Sequence, residues 1–319
     1  MGKKCKVWVS KTHNLVCEIN RDKKFPTIVF DAHLDEVSLR VIGYRDNGDL
    51  IAYTRGIDTK NIKGRSVTIH SRSGKDIEGV INVTASHFNK IKNDENDEND
   101  YEFMVDINIG ANSKVKARKM VSIGDPVTLN SKTIEFKNGN ISSRSLDNKL
   151  GVFILTQLLT LLSKKKLDVN IVGIFSSMEE EYSMGLTEIV DNINPDIVIV
   201  IDTEIANSDP SYSELKIGKG VCISTDYTNN SSLTNYAIDI AKKIKGLAYQ
   251  LVFHDFLGNT NLDSLRSLDI MGQFIAIPAK NLHSPNEIAS KIDIIHCLKL
   301  LLEMTKGFSK ISKSLVSKK

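Results

Sequence analysis

Seven side chains of this chain have the types needed to hold divalent cations and move a proton: His33, Asp35, Asp147, Glu179, Glu180, Asp202 and His283. Each falls where an apolar run gives way to a polar turn, or in a short loop ahead of a helical stretch. A pair of metal ions about 3.5–4 Å apart needs a bridging carboxylate, terminal ligands for each ion and a separate base for the attacking water. The set offers a candidate for every role.

Taken singly, each residue also has a plainer reading. His33 and Asp35 are two apart in extended chain and so point to the same side. A carboxylate there can accept the far ring proton of a metal-bound imidazole, although a polar strand end looks the same. Asp147, in the first turn of a long helical pattern, either caps that helix, as Ser145 also could, or bridges two cations. Glu179, Glu180 and Glu181 are adjacent carboxylates after the apolar run Ile171–Phe175, and they repel one another unless a cation or open solvent relieves them. Glu179 as general base and Glu180 as ligand would divide the labour. Asp202 terminates the run Ile197–Ile201, and there a carboxylate either caps the next turn or belongs to a site. His283 stands in a loop stiffened by Pro285, where a lone histidine is often structural or exposed. Their joint appearance at strand and loop ends favours the functional reading.

The elements that must position these residues are of two textures. Thr27–Asp31 reads as a buried strand delivering His33. Leu146–Leu162 has helical spacing and runs into Lys164–Lys166, cations that suit a helix C-terminus. Val169–Phe175 and Ile197–Ile201 are β-branched runs flanking a helical Gly185–Asn192, a βαβ pattern that implies a buried parallel sheet. Val221–Ser224 and Gln273–Ile277 supply further strands, and Thr234–Ile244 and Ile292–Lys306 further helices. In such sheets chemistry gathers at the carboxyl ends of strands. From Val41 to Asn130, by contrast, short alternating segments such as Ser66–His70, Gly79–Val83, Tyr101–Ile107 and Pro126–Leu129 are broken by turn signals. The expected fold is therefore mixed α/β: a largely parallel-core sheet flanked by helices, formed by residues 1–40 and 131–319, with a small all-β barrel inserted at 41–130. Inside the insert, the acidic repeat Asn93–Asp100 lacks the glycine hinge of a calcium loop and reads as a disordered surface loop.

Composition narrows the class. With 319 residues, 41% hydrophobic and 25% charged, the chain can bury a large core. A net charge of +3 gives no argument for nucleic acid. No run approaches a membrane span or a signal peptide, and Lys6 stands where N-myristoylation wants a hydroxyl, so a cytoplasmic protein is expected. Cys5, Cys17, Cys222 and Cys297 lie far apart and read as isolated reduced thiols.

Together these segments resemble the tetrahedral and glutamyl aminopeptidases, a family of dinuclear metal-dependent peptidases. The resemblance rests on Ala32-His-Leu-Asp-Glu-Val37, Leu146-Asp-Asn-Lys-Leu-Gly151, Glu179-Glu180 with Gly185 downstream, Val198-Ile-Val-Ile-Asp202, Ile217-Gly-Lys-Gly220 and Pro278-Ala-Lys-Asn-Leu-His-Ser-Pro285. Glu78-Gly-Val-Ile81, Asp106-Ile-Asn-Ile-Gly110 and Ile123-Gly-Asp-Pro126 look like that family's inserted β domain. It implies that Asp147 bridges two metals, that His33 and Asp202 complete one site, and that Glu180 and His283 complete the other. Glu179 would be the base and Asp35 would hold His33. It further implies zinc or cobalt as cofactor, peptides as substrates, and a homo-oligomer up to a dodecamer, built from dimers through the β insert.

Two departures accompany the likeness. The chain begins almost at its first strand, where the family carries a helical segment. The family's Gly-Gly-Thr-Asp-Ala run appears as Gly258-Asn-Thr-Asn-Leu-Asp263, a feature that would suit a catalytically impaired relative acting as a binding or assembly protein. A glycoside hydrolase, which needs two flanking acids and no metal, is the other rival.

Overall fold

The computed structural model describes residues 5–83, 103–206, 214–253 and 260–316. The repeat Asn93–Asp100 lies outside the described residues, as do Gly258 and Asn259 of the altered run.

The chain opens with β1 (Cys5–Val9), β2 (Leu15–Ile19) and β3 (Thr27–His33). It then leaves the main sheet for β4 (Leu39–Tyr44), β5 (Leu50–Thr54), β6 (Ser66–His70), β7 (Asp76–Ile81), β8 (Met104–Asn108), helix α1 (Lys114–Met120) and β9 (Pro126–Leu129). These six strands close an antiparallel barrel in the order β4-β5-β8-β7-β6-β9. Alternation explains it: Leu39 and Val41 of β4, Val67 and Ile69 of β6, and Val127 and Leu129 of β9 all turn inward to one buried cluster. The strand expected at Gly79–Val83 runs instead over Asp76–Ile81, because it pairs residue for residue with β6 across the turn at Gly74.

The return to the main sheet follows β10 (Ile134–Glu135) and β11 (Asn140–Ser143), and helix α2 (Leu146–Leu162) then packs on it. Next come β12 (Asn170–Ser176), α3 (Glu179–Tyr182), α4 (Gly185–Ile193), β13 (Ile197–Ile205), β14 (Val221–Ser224), α5 (Ser231–Lys243), β15 (Tyr249–Val252), β16 (Met271–Lys280), β17 (Glu287–Ser290) and α6 (Lys291–Val316). The strand order is β1-β2-β12-β3-β13-β16-β17-β11-β10, with β14 and β15 branching from β16. The centre, β12-β3-β13-β16, is parallel, and the pairings outward from it are antiparallel, except that β15 pairs parallel with β14. A run apolar on both faces must be covered on both. Ile197, Ile199 and Ile201 pack with α2 and α6 on one side, while Val198 and Val200 pack with Leu186 and Val190 of α4 on the other.

Two expectations are corrected. Cys5 and Cys17 form a disulfide: the β1–β2 hairpin sets Cys17 opposite Val7, so the two cysteines become diagonal neighbours with Cα atoms 6.5 Å apart. Cys222 and Cys297 are free and buried. Asp202 does not end its strand, since β13 continues to Ile205 along β16.

Candidate metal centre and active site

The site forms where the central sheet parts. β13 pairs with β3 only from Ile197↔Ile28 to Val200↔Asp31, and beyond that the two strands separate. Carried on, that register would set Asp202 beside His33, so the two side chains face one another across the opening. His33 Nε2 lies 3.5 Å from Asp202 Oδ1 and 3.2 Å from Asp147 Oδ1. Such a crevice, at the carboxyl ends of neighbouring strands, is where open α/β sheets bind ligands.

Asp147 enters from the start of α2, by a local route that the helical pattern does not reveal. Ser145 takes a left-handed conformation and makes no capping bond, and Asp147 and Asn148 have non-helical backbone angles joined by a cis peptide. Neither Ser145 nor Asp147 caps the helix. Asn148 does: its Oδ1 accepts the Gly151 N–H at 2.9 Å while its Nδ2 donates to the Ile201 carbonyl at 2.8 Å. Gly151 is required there, because a Cβ would stand 2.8 Å from that same carbonyl oxygen. The Asp147 carboxylate is thereby turned off the helix, with Oδ1 toward His33 and Oδ2 3.5 Å from His283 Nε2.

Glu179 and Glu180 arrive on α3, held by Asp35, whose two oxygens accept their backbone N–H groups at 3.2 and 3.1 Å. Asp35 Oδ1 is also 3.7 Å from His33 Nδ1, but the nearer contact of that ring nitrogen is the Asp35 main-chain oxygen at 3.2 Å. Glu180 Oε2 lies 3.3 Å from His283 Nε2, and Glu179 Oε2 lies 3.9 Å from His33 Nε2. His283 has a positive φ of 61° and is fixed by two main-chain contacts. Its N–H donates to Glu287 Oε1 at 2.9 Å, and its Nδ1 faces the Gly56 carbonyl oxygen at 2.8 Å.

All seven residues singled out from the sequence thus meet around one cavity of about 520 Å³, apart from Asp35, which stands behind its wall. Two groups have donor atoms within 4.8 Å of one another and could each hold a metal ion: His33, Asp147 and Asp202, and Asp147, Glu180 and His283. Asp147 is common to both. Glu180 Oε1 is buried without a hydrogen-bond partner among the described residues, an acceptor that a cation would satisfy. Imidazole nitrogens with carboxylate oxygens suit zinc or cobalt, so the residues fit the group.

Electrostatics point the same way. Burial, followed by the charge of Asp202, pushes the Glu179 carboxyl up to about 9. Burial also takes Asp202 up to about 7, against the opposing pull of His33. Asp147 goes the other way: burial opposes its charge, but hydrogen bonds from His283 and His33 outweigh it and hold the carboxyl well below the usual range. Acids crowded out of water in this way cost several kcal/mol each unless cations accompany them.

Three further residues support the centre, and of these the sequence drew attention only to Asn261, within its run. Glu287 accepts the N–H groups of both Asp147 and His283. Asp31, two residues before His33 on the same strand face, takes a hydrogen bond from Asn261 Nδ2 at 2.8 Å, and that same amide reaches Ser176 Oγ. Asn261 belongs to the run Gly258–Asp263, and it places an amide, not a second acid, beside a buried carboxylate. An aspartate inside a run as apolar as Thr27–Phe30 was the available signal for Asp31. Nothing local marks Glu287.

The family profile of the M42 glutamyl aminopeptidases matches residues 13–300. The chain belongs to that family. Among its M42 and other relatives, the putative aminopeptidase SgcX of Escherichia coli is 27% identical over 312 residues, 92% of this chain and 83% of the relative. The Pyrococcus horikoshii TET1 peptidase, which can assemble into a tetrahedron or a large octahedral shell, superposes with a TM-score of 0.82 at 25% identity, over 95% of this chain and 90% of its own. The Desulfurococcus kamchatkensis aminopeptidase APDkam598 shares the fold with a TM-score of 0.85 at 24% identity, over 96% and 86% of the two chains. This M42 chain is accordingly a peptide hydrolase of the aminopeptidase class, from a metal-dependent family. Among the described residues no helix is long and apolar enough to cross a membrane.

Proposed function

We propose that the protein is a dinuclear metallo-aminopeptidase that removes N-terminal residues from peptides. The observation that carries the reading is the pair of His/carboxylate triads sharing Asp147, with Glu179 beside them and outside both. Two divalent cations, zinc or cobalt, would activate a shared water and polarise the scissile carbonyl. His33 and Asp202 would hold one ion, Glu180 and His283 the other, with Asp147 common to both groups. Glu179 takes the proton of the attacking water and returns it to the departing amine. Its high proton affinity in the metal-free centre falls as positive charge enters beside it, which brings a carboxylate toward the working range of a base. Asp35 fixes the base and its neighbouring ligand through their own main chain.

The lining of the cavity is carboxylate-rich, with Arg55 reaching in from the barrel. Side chains on the barrel exterior, including Tyr53, Phe103, Val115 and Ile123, are 40–65% exposed. They suit the barrel to subunit contact, and we extend the assembly of the TET1 peptidase to this chain as a dimer-built oligomer up to a dodecamer.

The test is turnover of an aminoacyl-anilide panel by purified protein, with and without EDTA and with zinc or cobalt restored. Metal-stimulated turnover is expected, with kcat lowered about 10²–10⁴-fold by Glu179→Gln at unchanged metal content. Turnover of glycosides that survives EDTA would favour the carbohydrate reading. No metal-stimulated turnover at all would favour a silent binding protein.

A further inference from the structure

Consecutive residues of the barrel, Arg55 and Gly56, reach the short helix and the loop that carry the second candidate metal position. Gly56 directs its carbonyl oxygen at His283 Nδ1, 2.8 Å away. Arg55 lies over the ring of Tyr182, 4.8 Å from its centroid, and Tyr182 closes the short helix that begins with Glu179 and Glu180. Among the described residues, His33 and Asp202, peculiar to the other position, have no such brace from the barrel. They are carried by β3 and β13 themselves.

We propose that Gly56 is a positioning residue of the metal centre, its carbonyl accepting the Nδ1 proton of His283 and so presenting Nε2 as the ligand atom. The inference rests on the two-metal reading above. A ring free to carry its proton on either nitrogen offers the metal the wrong tautomer part of the time. A fixed acceptor on Nδ1 removes that freedom and raises the basicity of Nε2. The acceptor is main chain, so its place depends on how the barrel seats against the sheet. Seating of the insert and occupation of the Glu180/His283 position are therefore coupled.

Glycine is needed at the contact. Gly56 has φ +81°, and a Cβ there would stand 3.0 Å from Val37 Cγ1 and 3.3 Å from His283 Nδ1. Ala must push the carbonyl or the ring aside. Gly74 supplies a control: its φ is +79°, but a Cβ would meet nothing within 4 Å.

The experiment titrates the metal-free full-length protein with zinc against a competing chelator and resolves two successive dissociation constants. Gly56→Ala should weaken one of them about 10–100-fold, the range for loss of an outer hydrogen bond to a ligand histidine, and leave the other unchanged. Gly74→Ala should change neither. Arg55→Ala should weaken the same step by less. In a double-mutant cycle, Gly56→Ala should cost nothing further once His283 is alanine. Zinc binding by Gly56→Ala equal to that of the parent overturns the proposal, and so does Gly74→Ala reproducing the loss. If Gly56→Ala does not fold, Arg55→Ala decides: a loss confined to one step supports the coupling, and two unchanged constants overturn it. A parent protein that binds no zinc defeats the two-metal reading itself. Two tight sites indifferent to Gly56 and Arg55 defeat only this inference.

Discussion

The two halves of the centre are built by different means. His33 and Asp202 sit on neighbouring central strands, 2% and 6% exposed, and each is held in the ladder from its outer edge, by Ser176 of β12 and Ala276 of β16. Glu180 and His283 sit on a four-residue helix and a loop, with the His283 side chain 37% exposed. The strand half relies chiefly on this pairing, because each ladder bond restrains the strand that carries the residue. The loop half obtains its order from carboxylates aimed at backbone: Asp35 takes two N–H groups, and Glu287 takes two more. Hydrogen bonds to charged acceptors contribute about 1.5–3 kcal/mol each. Precision that a strand possesses by pairing has to be assembled, bond by bond, in a loop.

The strongest test of this division removes what the halves share. Asp147→Ala should abolish both metal-binding steps, since each triad includes that carboxylate, and activity should fall to background. A variant retaining one tight metal would show that one triad stands without it. The halves should then separate in stability. In the metal-free protein, His33→Ala strips buried Asp147 and Asp202 of their cationic partner and should cost about 3–5 kcal/mol, as for a broken buried ion pair. His283→Ala, at a ring more than a third open to water, should cost about 1 kcal/mol or less. Denaturant unfolding of the two variants without metal measures both. Equal losses would erase the distinction between strand and loop.

How much of this was legible in the sequence follows the same line. Strand-borne features showed themselves, because an apolar run such as Ile197–Ile201 is buried on both faces wherever it lies. Ser66–His70, Pro126–Leu129, Val221–Ser224 and the helix Leu146–Leu162 match the boundaries their patterns give. The residue types that meet in the cavity were readable too, most of them by their place where such runs give way to polar chain. The supports were not. Glu287 meets Asp147 across 140 positions, and Asn261 meets Asp31 across 230, and no local periodicity encodes a partner so far along the chain. β2 escaped for a related reason: Leu15–Ile19 becomes a strand by pairing on both edges, with β1 and with β12. The cap at α2 stayed hidden because Asn148, the third residue of the expected helix, accepts the Gly151 N–H and frees Asp147.

Glu287→Gln sharpens the comparison further. A carboxylate accepts at both oxygens, whereas an amide turns a donor toward one of the two N–H groups it should receive. Asp147 and His283 then cannot both be held. The expected result is a roughly 10-fold loss in zinc affinity, at the lower end for an outer-shell change. It should fall chiefly on the step that His283→Ala removes. A loss shared equally by both steps would mean that Glu287 serves the bridge more than the loop.

The smallest effect concerns the same device away from the metals. Asp293, in the first turn of α6, accepts the N–H groups of Gly218 and Gly220 at 2.6 Å each, as Asp35 and Glu287 do for their loops. Burial pushes its carboxyl up to about 6, against the lowering effect of those two bonds. A raised folded value means that the folded state holds the proton more tightly than the unfolded chain. The resulting stability is full below the ordinary value of 3.8 and is lost as pH rises through about 6. The swing is at most about 3 kcal/mol at 1.36 kcal/mol per unit. Asp293→Asn cannot titrate, so unfolding of the metal-free protein between pH 4 and 7 should show the variant gaining on the parent as pH rises. A gap that moves the opposite way would mean that the paired N–H groups outweigh burial. In that case a carboxylate clamping a loop stabilises most when charged, and the braces of the loop half would strengthen, not weaken, toward neutral pH.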